Sequence, residues 1–93
     1  MVIGLLTLEL RLPDALHLKA KRSALRPLLE GLRREWNVAA AEVDHRDAWQ
    51  RATLAIVTVN TDGSEAHRTL TAVVGHVERR PGVQVLDVTV ELL

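Results

Sequence analysis

The sequence of 93 residues has no cysteine, no tyrosine and no phenylalanine. Without cysteine the chain can form neither disulfides nor thiolate metal sites, and it has no thiol nucleophile. RNA-recognition sheets stack bases on aromatic side chains, and here only two tryptophans could do so. Residues that heat damages are also scarce, with one methionine and only four asparagines and glutamines together. That scarcity is typical of thermophilic proteins. The alternative explanation is a GC-rich genome, which also favours arginine.

Net charge and long apolar runs are missing as well. Twelve basic residues balance twelve acidic ones, so the overall charge indicates no partner. No apolar run approaches the roughly 18 residues that a membrane-spanning helix needs. The first residues lack the basic segment and the cleavage site of a signal peptide. We therefore expect a cytoplasmic protein without a membrane partner, formed by a single domain over residues 1–93.

The residues that are present follow a regular order of strand and helix patterns. Alternating apolar residues predict strands at 2–12, 37–45, 49–60 and 83–93. Apolar residues at helical spacing predict helices over 18–36 and 64–79. The order βαββαβ with right-handed crossovers predicts an α+β, ferredoxin-like sandwich. Its four-stranded antiparallel sheet would have the order 4-1-3-2, with both helices on one face.

The two predicted helices each present an apolar stripe to the sheet. The residues expected to be buried are Leu25, Leu29 and Leu32 in the first helix and Leu70, Val73 and Val77 in the second. Pro27 lies inside the first helix, where it removes a main-chain donor and crowds the preceding turn. We therefore expect a kink or a break near Ser23 and Ala24.

Three segments of the sequence carry a family resemblance. They are MVIGLLTLEL, LHLKAKRSALRPL and NVAAAEVDHRDAWQRATLAIVTV, and together they span nearly the whole chain. The most specific stretches are Leu18-Lys19-x-Lys21-Arg22 and the run from Ala41-Glu42-Val43 to Trp49-Gln50-Arg51-Ala52. These segments resemble the YlxP-like family of small bacterial proteins of unknown function.

The resemblance implies a ferredoxin-like fold and supplies no catalytic residues. Genes of the family often lie near those for transcription–translation factors and ribosome-binding factor A. This neighbourhood implies a link to ribosome maturation. Pro27 departs from the resemblance, because members commonly have an ordinary helix former at that position.

The first predicted helix holds a cluster of basic residues. Its six basic and two acidic side chains give it a charge of +4 against −4 for the rest of the chain. Cations near a helix N-terminus oppose the helix dipole by about 0.3–1 kcal/mol each, so their presence there indicates an anionic ligand such as phosphate. The alternative is a solvated flank whose long stems cover apolar surface. The candidate anion- or RNA-binding residues are Lys19, Lys21, Arg22, Arg26 and Arg33.

The acidic stretch that contains Glu42, Asp44, His45 and Asp47 is the one candidate for a cation site. Strand alternation places Glu42 and Asp44 on one face and His45 on the other, and Arg46 lies among the carboxylates. This arrangement favours a hairpin loop with local ion pairs over a metal site. The sequence also lacks the G-x-S-x-G elbow of hydrolases with a serine nucleophile. We therefore expect no metal, no cofactor and no enzymatic activity.

The face of the sheet opposite the helices must meet water or another chain. The candidate partner-surface residues are Ile3, Leu5, Ile56, Val83 and Val85. The register of the outer strands decides whether Ile3 and Leu5 lie beside the two valines or beside Glu91. Because residues 49–60 are apolar on both sides, we expect a homodimer or a docked partner across this open face. The alternative is a stable monomer with a small apolar patch.

Together these patterns favour a non-enzymatic RNA- or ribosome-associated protein. With no aromatic platform on the sheet, the contact would run through phosphates along the basic flank of the first helix. The alternative is a regulatory ligand-binding dimer similar to an ACT domain, which shares the βαββαβ order. A deep pocket at a dimer seam would favour that alternative.

Overall fold

The chain folds into a four-stranded antiparallel sheet with two helices in one core. The computed structural model describes all residues 1–93. The elements are β1 (Val2–Arg11), α1 (Leu18–Glu35), β2 (Val38–Asp44), β3 (Arg51–Asn60), α2 (Gly63–Glu78) and β4 (Gln84–Leu92). The strand order β2-β3-β1-β4 is the predicted order read from the other end. The α+β, ferredoxin-like fold is confirmed.

Strand β1 lies in the middle of the sheet and pairs with β3 on one side and β4 on the other. Its alternation sorts the side chains, because Leu6, Leu8 and Leu10 are fully buried under the helices. Gly4 lets α2 sit directly on the strand, since a Cβ at this position would lie 2.9 Å from Leu70 Cδ1. The helix-facing side of β1 is therefore the floor of the core.

The helix stripes are confirmed in α2 and partly wrong in α1. Leu70, Val73 and Val77 are fully buried, as predicted. In α1, however, Leu28 is fully buried and the predicted Leu29 is only half-buried. Leu28 completes the stripe of Leu25 and Leu32, and Leu29 packs at its margin. Helix α1 is thus rotated by part of a turn from the predicted orientation.

The break that Pro27 was expected to cause near Ser23 and Ala24 is wrong, because α1 runs unbroken from Leu18 to Glu35. The ring of Pro27 is exposed to solvent and does not disturb the packed side of the helix. The turns around it are held by the buried Leu25, Leu28 and Leu32. Burial of these side chains offsets the lost main-chain hydrogen bond. Neither helix of the fold has the length and apolar character needed to cross a membrane.

The orientation of α1 predicts that two adjacent leucines contribute unequally to stability. We expect Leu28→Ala to lower the free energy of unfolding by about 2–5 kcal/mol, because it opens a cavity in the core. Leu29→Ala should cause a clearly smaller loss, because its side chain is only half-buried. Urea unfolding of the two variants measures both values, and equal losses would contradict the orientation.

Candidate anion-binding groove

The ammonium group of Lys21 is buried in a cage of oxygen atoms. The side chain has no exposed surface, and Nζ lies 2.7 Å from Glu42 Oε2. It also donates to the main-chain oxygens of His45 and Ala48, each at 2.7 Å, and of Arg51 at 3.0 Å. A lysine ammonium has three N–H donors, and all of them are occupied here. Lys21 therefore fastens α1 to the loop between β2 and β3.

The loop from His45 to Gln50 takes its shape from this contact. His45 adopts a left-handed conformation with φ of 59°, and its N–H donates to Asp44 Oδ1 at 2.7 Å. Gln50 Nε2 donates to the main-chain oxygen of Pro13 at 3.1 Å, which closes the other end of the loop. Carbonyl groups of the loop point towards Lys21. Trp49, in the same loop, is 53% exposed to solvent.

The inclusion of Lys21 among the anion-binding candidates is wrong. A buried ammonium already bound to a carboxylate and three carbonyl oxygens has no donor left for a phosphate. A signal in the sequence could have placed it correctly. Lys21 precedes Leu25, Leu28 and Leu32 by four, seven and eleven residues, which is the spacing of the apolar stripe itself. The stripe therefore continues towards the N-terminus of α1 and includes this lysine.

The other four candidates lie at the surface, and three of them line a shallow groove between α1 and β2. We call this the α1–β2 groove; its lining residues are Arg22, Leu25, Arg26, Leu29, Glu30, Arg33 and Glu42. Lys19 lines an adjoining depression together with Arg22 and Arg26. The structure thus brings the predicted flank together, apart from Lys21.

The basic residues of the groove differ in how far they are already engaged. Arg33 Nη2 donates to the main-chain oxygen of Ala40 and ties the end of α1 to the edge strand β2. Arg22 and Arg26 are exposed, and neither takes part in any of the four ion pairs of the chain. These two arginines, one helical turn apart, keep their donors available. They are the centre of the candidate site.

The groove continues onto the β2–β3 loop. A further depression is lined by Arg22, Glu42, Arg46 and Asp47, so Arg46 extends the basic surface away from α1. In the sequence, Arg46 stands out only as a basic neighbour within the acidic stretch. Its position beside the groove depends on the contact between Lys21 and the loop.

The acidic stretch is spread over several contacts. Glu42 pairs with Lys21, Asp44 accepts the N–H of His45, and His45 Nε2 lies 3.9 Å from Glu9 Oε2. The prediction that Glu42 and Asp44 share one strand face is wrong. A β-bulge between them pairs Glu42 with Leu54 and Asp44 with Thr53, which belong to opposite faces of β3.

The open sheet face loses three of the five partner-surface candidates. Ile56 is fully buried, Val83 is 7% exposed, and Val85 packs against the same core. A bulge at Leu86 shifts the register of β4, so that Val85 lies opposite Leu10 on the helix side. Ile3 and Leu5 do lie half-buried on the open face. The register places Leu5 beside Glu91, which answers the question left by the sequence. A homodimer across this face stays a prediction, although fewer apolar side chains lie there than the sequence indicated.

The fold and the groove define a small ferredoxin-like protein with an arginine-lined surface and no feature that commits it to one chemistry. The chain belongs to the family described as "Protein of unknown function (DUF503)", whose model matches residues 3–90. It is 28% identical to the "Uncharacterized protein YlxP" of Bacillus subtilis (strain 168) over 83 residues. The match covers 89% of this chain and 90% of that protein. The family resemblance seen in the sequence is confirmed.

The oxygen cage predicts that Lys21 matters for stability far more than its neighbour Arg22. We expect Lys21→Met to lower the free energy of unfolding by about 3–5 kcal/mol, because it leaves the Glu42 carboxylate and three carbonyl groups without their partner. Adding Glu42→Gln should recover part of that loss. Arg22→Met, the exposed control, should change stability by less than about 0.5 kcal/mol. Urea unfolding measures all three, and similar values for Lys21→Met and Arg22→Met would contradict the cage.

Proposed function

We propose that this protein is a non-enzymatic, cytoplasmic RNA-binding factor that associates with ribosomal RNA or subunits through the α1–β2 groove. The observation that carries the proposal is the pair Arg22 and Arg26, which are exposed, one helical turn apart and free of ion pairs. The family resemblance, with its implied link to ribosome maturation, supports the same reading. No comparison assigns a function to the family.

Guanidinium groups suit a phosphate ligand for a geometric reason. Each presents a planar fork of N–H donors that matches two phosphate oxygens, and it stays charged at any physiological pH. Residues four apart on a helix have Cβ atoms about 5–6 Å from each other. Arg22 and Arg26 are therefore placed to contact one phosphate together or two successive phosphates of a chain. Lys19 and Arg46 lie in the adjoining depressions and add charge on either side.

The groove is suited to phosphates rather than to base edges. Leu25 and Leu29 are its only apolar lining residues, and the remainder are three arginines and two glutamates, of which Glu42 is already paired with Lys21. Contacts to phosphates fix position along a nucleic acid and carry no sequence information by themselves. We therefore propose recognition of RNA shape, with affinity dominated by charge.

The alternative proposal is a regulatory dimer that binds a small ligand, as ACT domains do. It is supported by the shared βαββαβ order alone. The depressions around the α1–β2 groove are open to solvent and lined mainly by charged residues, which favours an extended anionic partner.

The RNA proposal predicts that charge reversal in the groove abolishes binding. Arg22→Glu/Arg26→Glu should release the protein from ribosomal subunits in co-sedimentation, because it replaces two phosphate contacts with two repulsions. Since both side chains are exposed, circular dichroism should show the native fold. For the native protein, log affinity should fall linearly with log salt between about 50 and about 200 mM, by about 0.7–0.9 units per phosphate contact.

A control with the same change of charge lies on the other helix. Arg79→Glu/Arg80→Glu alters two arginines at the C-terminal end of α2 that lie outside the groove and take part in no ion pair, and it should leave binding nearly unchanged. Equal losses in the two double variants would show that only net charge matters. Unchanged binding in Arg22→Glu/Arg26→Glu would eliminate the groove as the RNA surface.

A further inference from the structure

One edge of the sheet carries an uncovered apolar row. β4 is the edge strand next to β1, and its residues Val88, Val90 and Leu92 lie opposite Leu8, Leu6 and Gly4 on the helix side. Their partners on β1 are fully buried, whereas Val88, Val90 and Leu92 are 41%, 38% and 48% exposed. Leu86, at the bulge, is 49% exposed. Such a row of aliphatic side chains is unusual on a sheet edge that faces water.

The row is uncovered because α2 does not reach over it. The space between α2 and the end of β4 is lined by Gly63, Ser64, His67, Arg68, Thr71 and Leu92. A Cβ on Gly63 would lie 3.7 Å from Leu92 Cδ1, an ordinary van der Waals distance, so the N-terminus of α2 borders the row at Leu92 and leaves Val88 and Val90 exposed. Solvent therefore reaches β4 from the helix side as well as from its free edge.

The two edges of the sheet are treated differently. On β2 the guanidinium of Arg33 binds the main-chain oxygen of Ala40, and a bulge interrupts the strand before Asp44. Such devices protect edge strands from pairing with other chains. From Asp87 to Leu93, β4 has no lysine and no proline. This stretch pairs with β1 without interruption, and its charged residues Asp87 and Glu91 lie on the open face.

The main chain of this stretch is ready to pair with a further strand. Ile3 and Leu93 exchange both of their main-chain hydrogen bonds. In an antiparallel ladder such pairs alternate with pairs whose N–H and C=O groups point away. Val88, Val90 and Leu92 consequently direct their main-chain groups to the free edge. The residues with free hydrogen-bonding groups are the same residues that form the apolar row.

We propose that β4 pairs antiparallel with β4 of a second copy of this chain, about a two-fold axis at Val90. Val90 would then lie opposite Val90 of the other copy, and Val88 opposite its Leu92. The apolar rows of the two copies would contact each other on the helix side, with the α2 helix of each copy beside them. The two sheets join into one continuous eight-stranded sheet.

The charges of β4 select this register. A two-fold axis at Thr89 would place Asp87 directly opposite Glu91 of the other copy, twice in each dimer, and like charges opposite each other destabilise a sheet. The axis at Val90 places Glu91 opposite Thr89, which is neutral, and keeps all pairing within the regular stretch that follows the bulge. The self-complementary sequence of the strand is what identifies a second copy as the occupant.

The absence of cysteine provides a clean test of the register. Thr89 and Glu91 of different copies would form a pair without main-chain hydrogen bonds across the seam, with Cα atoms about 4.5 Å apart. That separation suits a disulfide. We expect an equimolar mixture of Thr89→Cys and Glu91→Cys proteins to form a mixed disulfide dimer on mild oxidation, and Thr89→Cys alone to stay largely unlinked. Efficient linking of Thr89→Cys to itself would overturn the proposed register.

Sedimentation equilibrium tests the surface independently of any disulfide. Because an edge-to-edge seam belongs to the smaller class of interfaces, we expect weak association, with the native chain dimeric once its concentration reaches tens of micromolar. Val90→Lys should yield a monomer with a native circular dichroism spectrum. Val59→Lys is the matched control, because Val59 lies opposite Ile3 on the open face and is 48% exposed.

Each outcome of this comparison decides the proposal. Loss of the dimer in Val90→Lys and its retention in Val59→Lys would support pairing through β4. The reverse pattern would overturn it and place the dimer on the open sheet face. A native chain that is monomeric at tens of micromolar and forms no mixed disulfide would also overturn it, and would leave the row to a different partner.

Discussion

The geometry of one end of the molecule depends on the buried ammonium group of Lys21. It is bound to Glu42 and to the main-chain oxygens of His45, Ala48 and Arg51, so three separate segments meet at one cation. A chain without cysteine has no disulfide to fix a loop to a helix, and this contact takes that role. Because an unpartnered charge is costly inside a protein, the cage also forces the loop to turn its carbonyl groups inward. Trp49, in the same loop, is exposed to water.

The fold and the grouping of the arginines could be predicted from the sequence. The placement of Lys21 at the surface was wrong. Hydrophobic periodicity assigns each residue to a strand or a helix face, and the order of elements then limits the topology. Charge type, however, led to Lys21 being grouped with Arg22 and Arg26, although its spacing from Leu25 and Leu28 belongs to the buried stripe. A lysine can occupy a core position only when oxygen atoms from elsewhere in the chain satisfy it. Those oxygens come from Glu42 in β2 and from residues 24 or more positions away, and no local pattern shows them.

The errors at Val85 and at Glu42 and Asp44 share one cause, which is the β-bulge. Alternation holds only while two strands stay in step, and one extra residue moves every later side chain to the other face. The bulge at Leu86 turned Val85 towards the core, and the bulge after Glu42 separated it from Asp44. A bulge is a property of two paired strands, so it could not be read from one strand's sequence. On either side of each bulge, the predicted alternation of β2 and β4 describes the structure.

The positions of the two proposed surfaces in the sheet make them compatible with each other. The α1–β2 groove lies at the β2 edge, and the apolar row lies at the β4 edge, with β3 and β1 between them. A dimer joined through β4 would therefore carry its two basic grooves at opposite ends of an eight-stranded sheet, both open to solvent. Two weak phosphate-binding grooves on one rigid body can engage a single large RNA at two points, and the second contact is then intramolecular. A shallow groove with only two unpaired arginines would bind weakly alone, so a seam at β4 would strengthen RNA binding without burying any residue that contacts it.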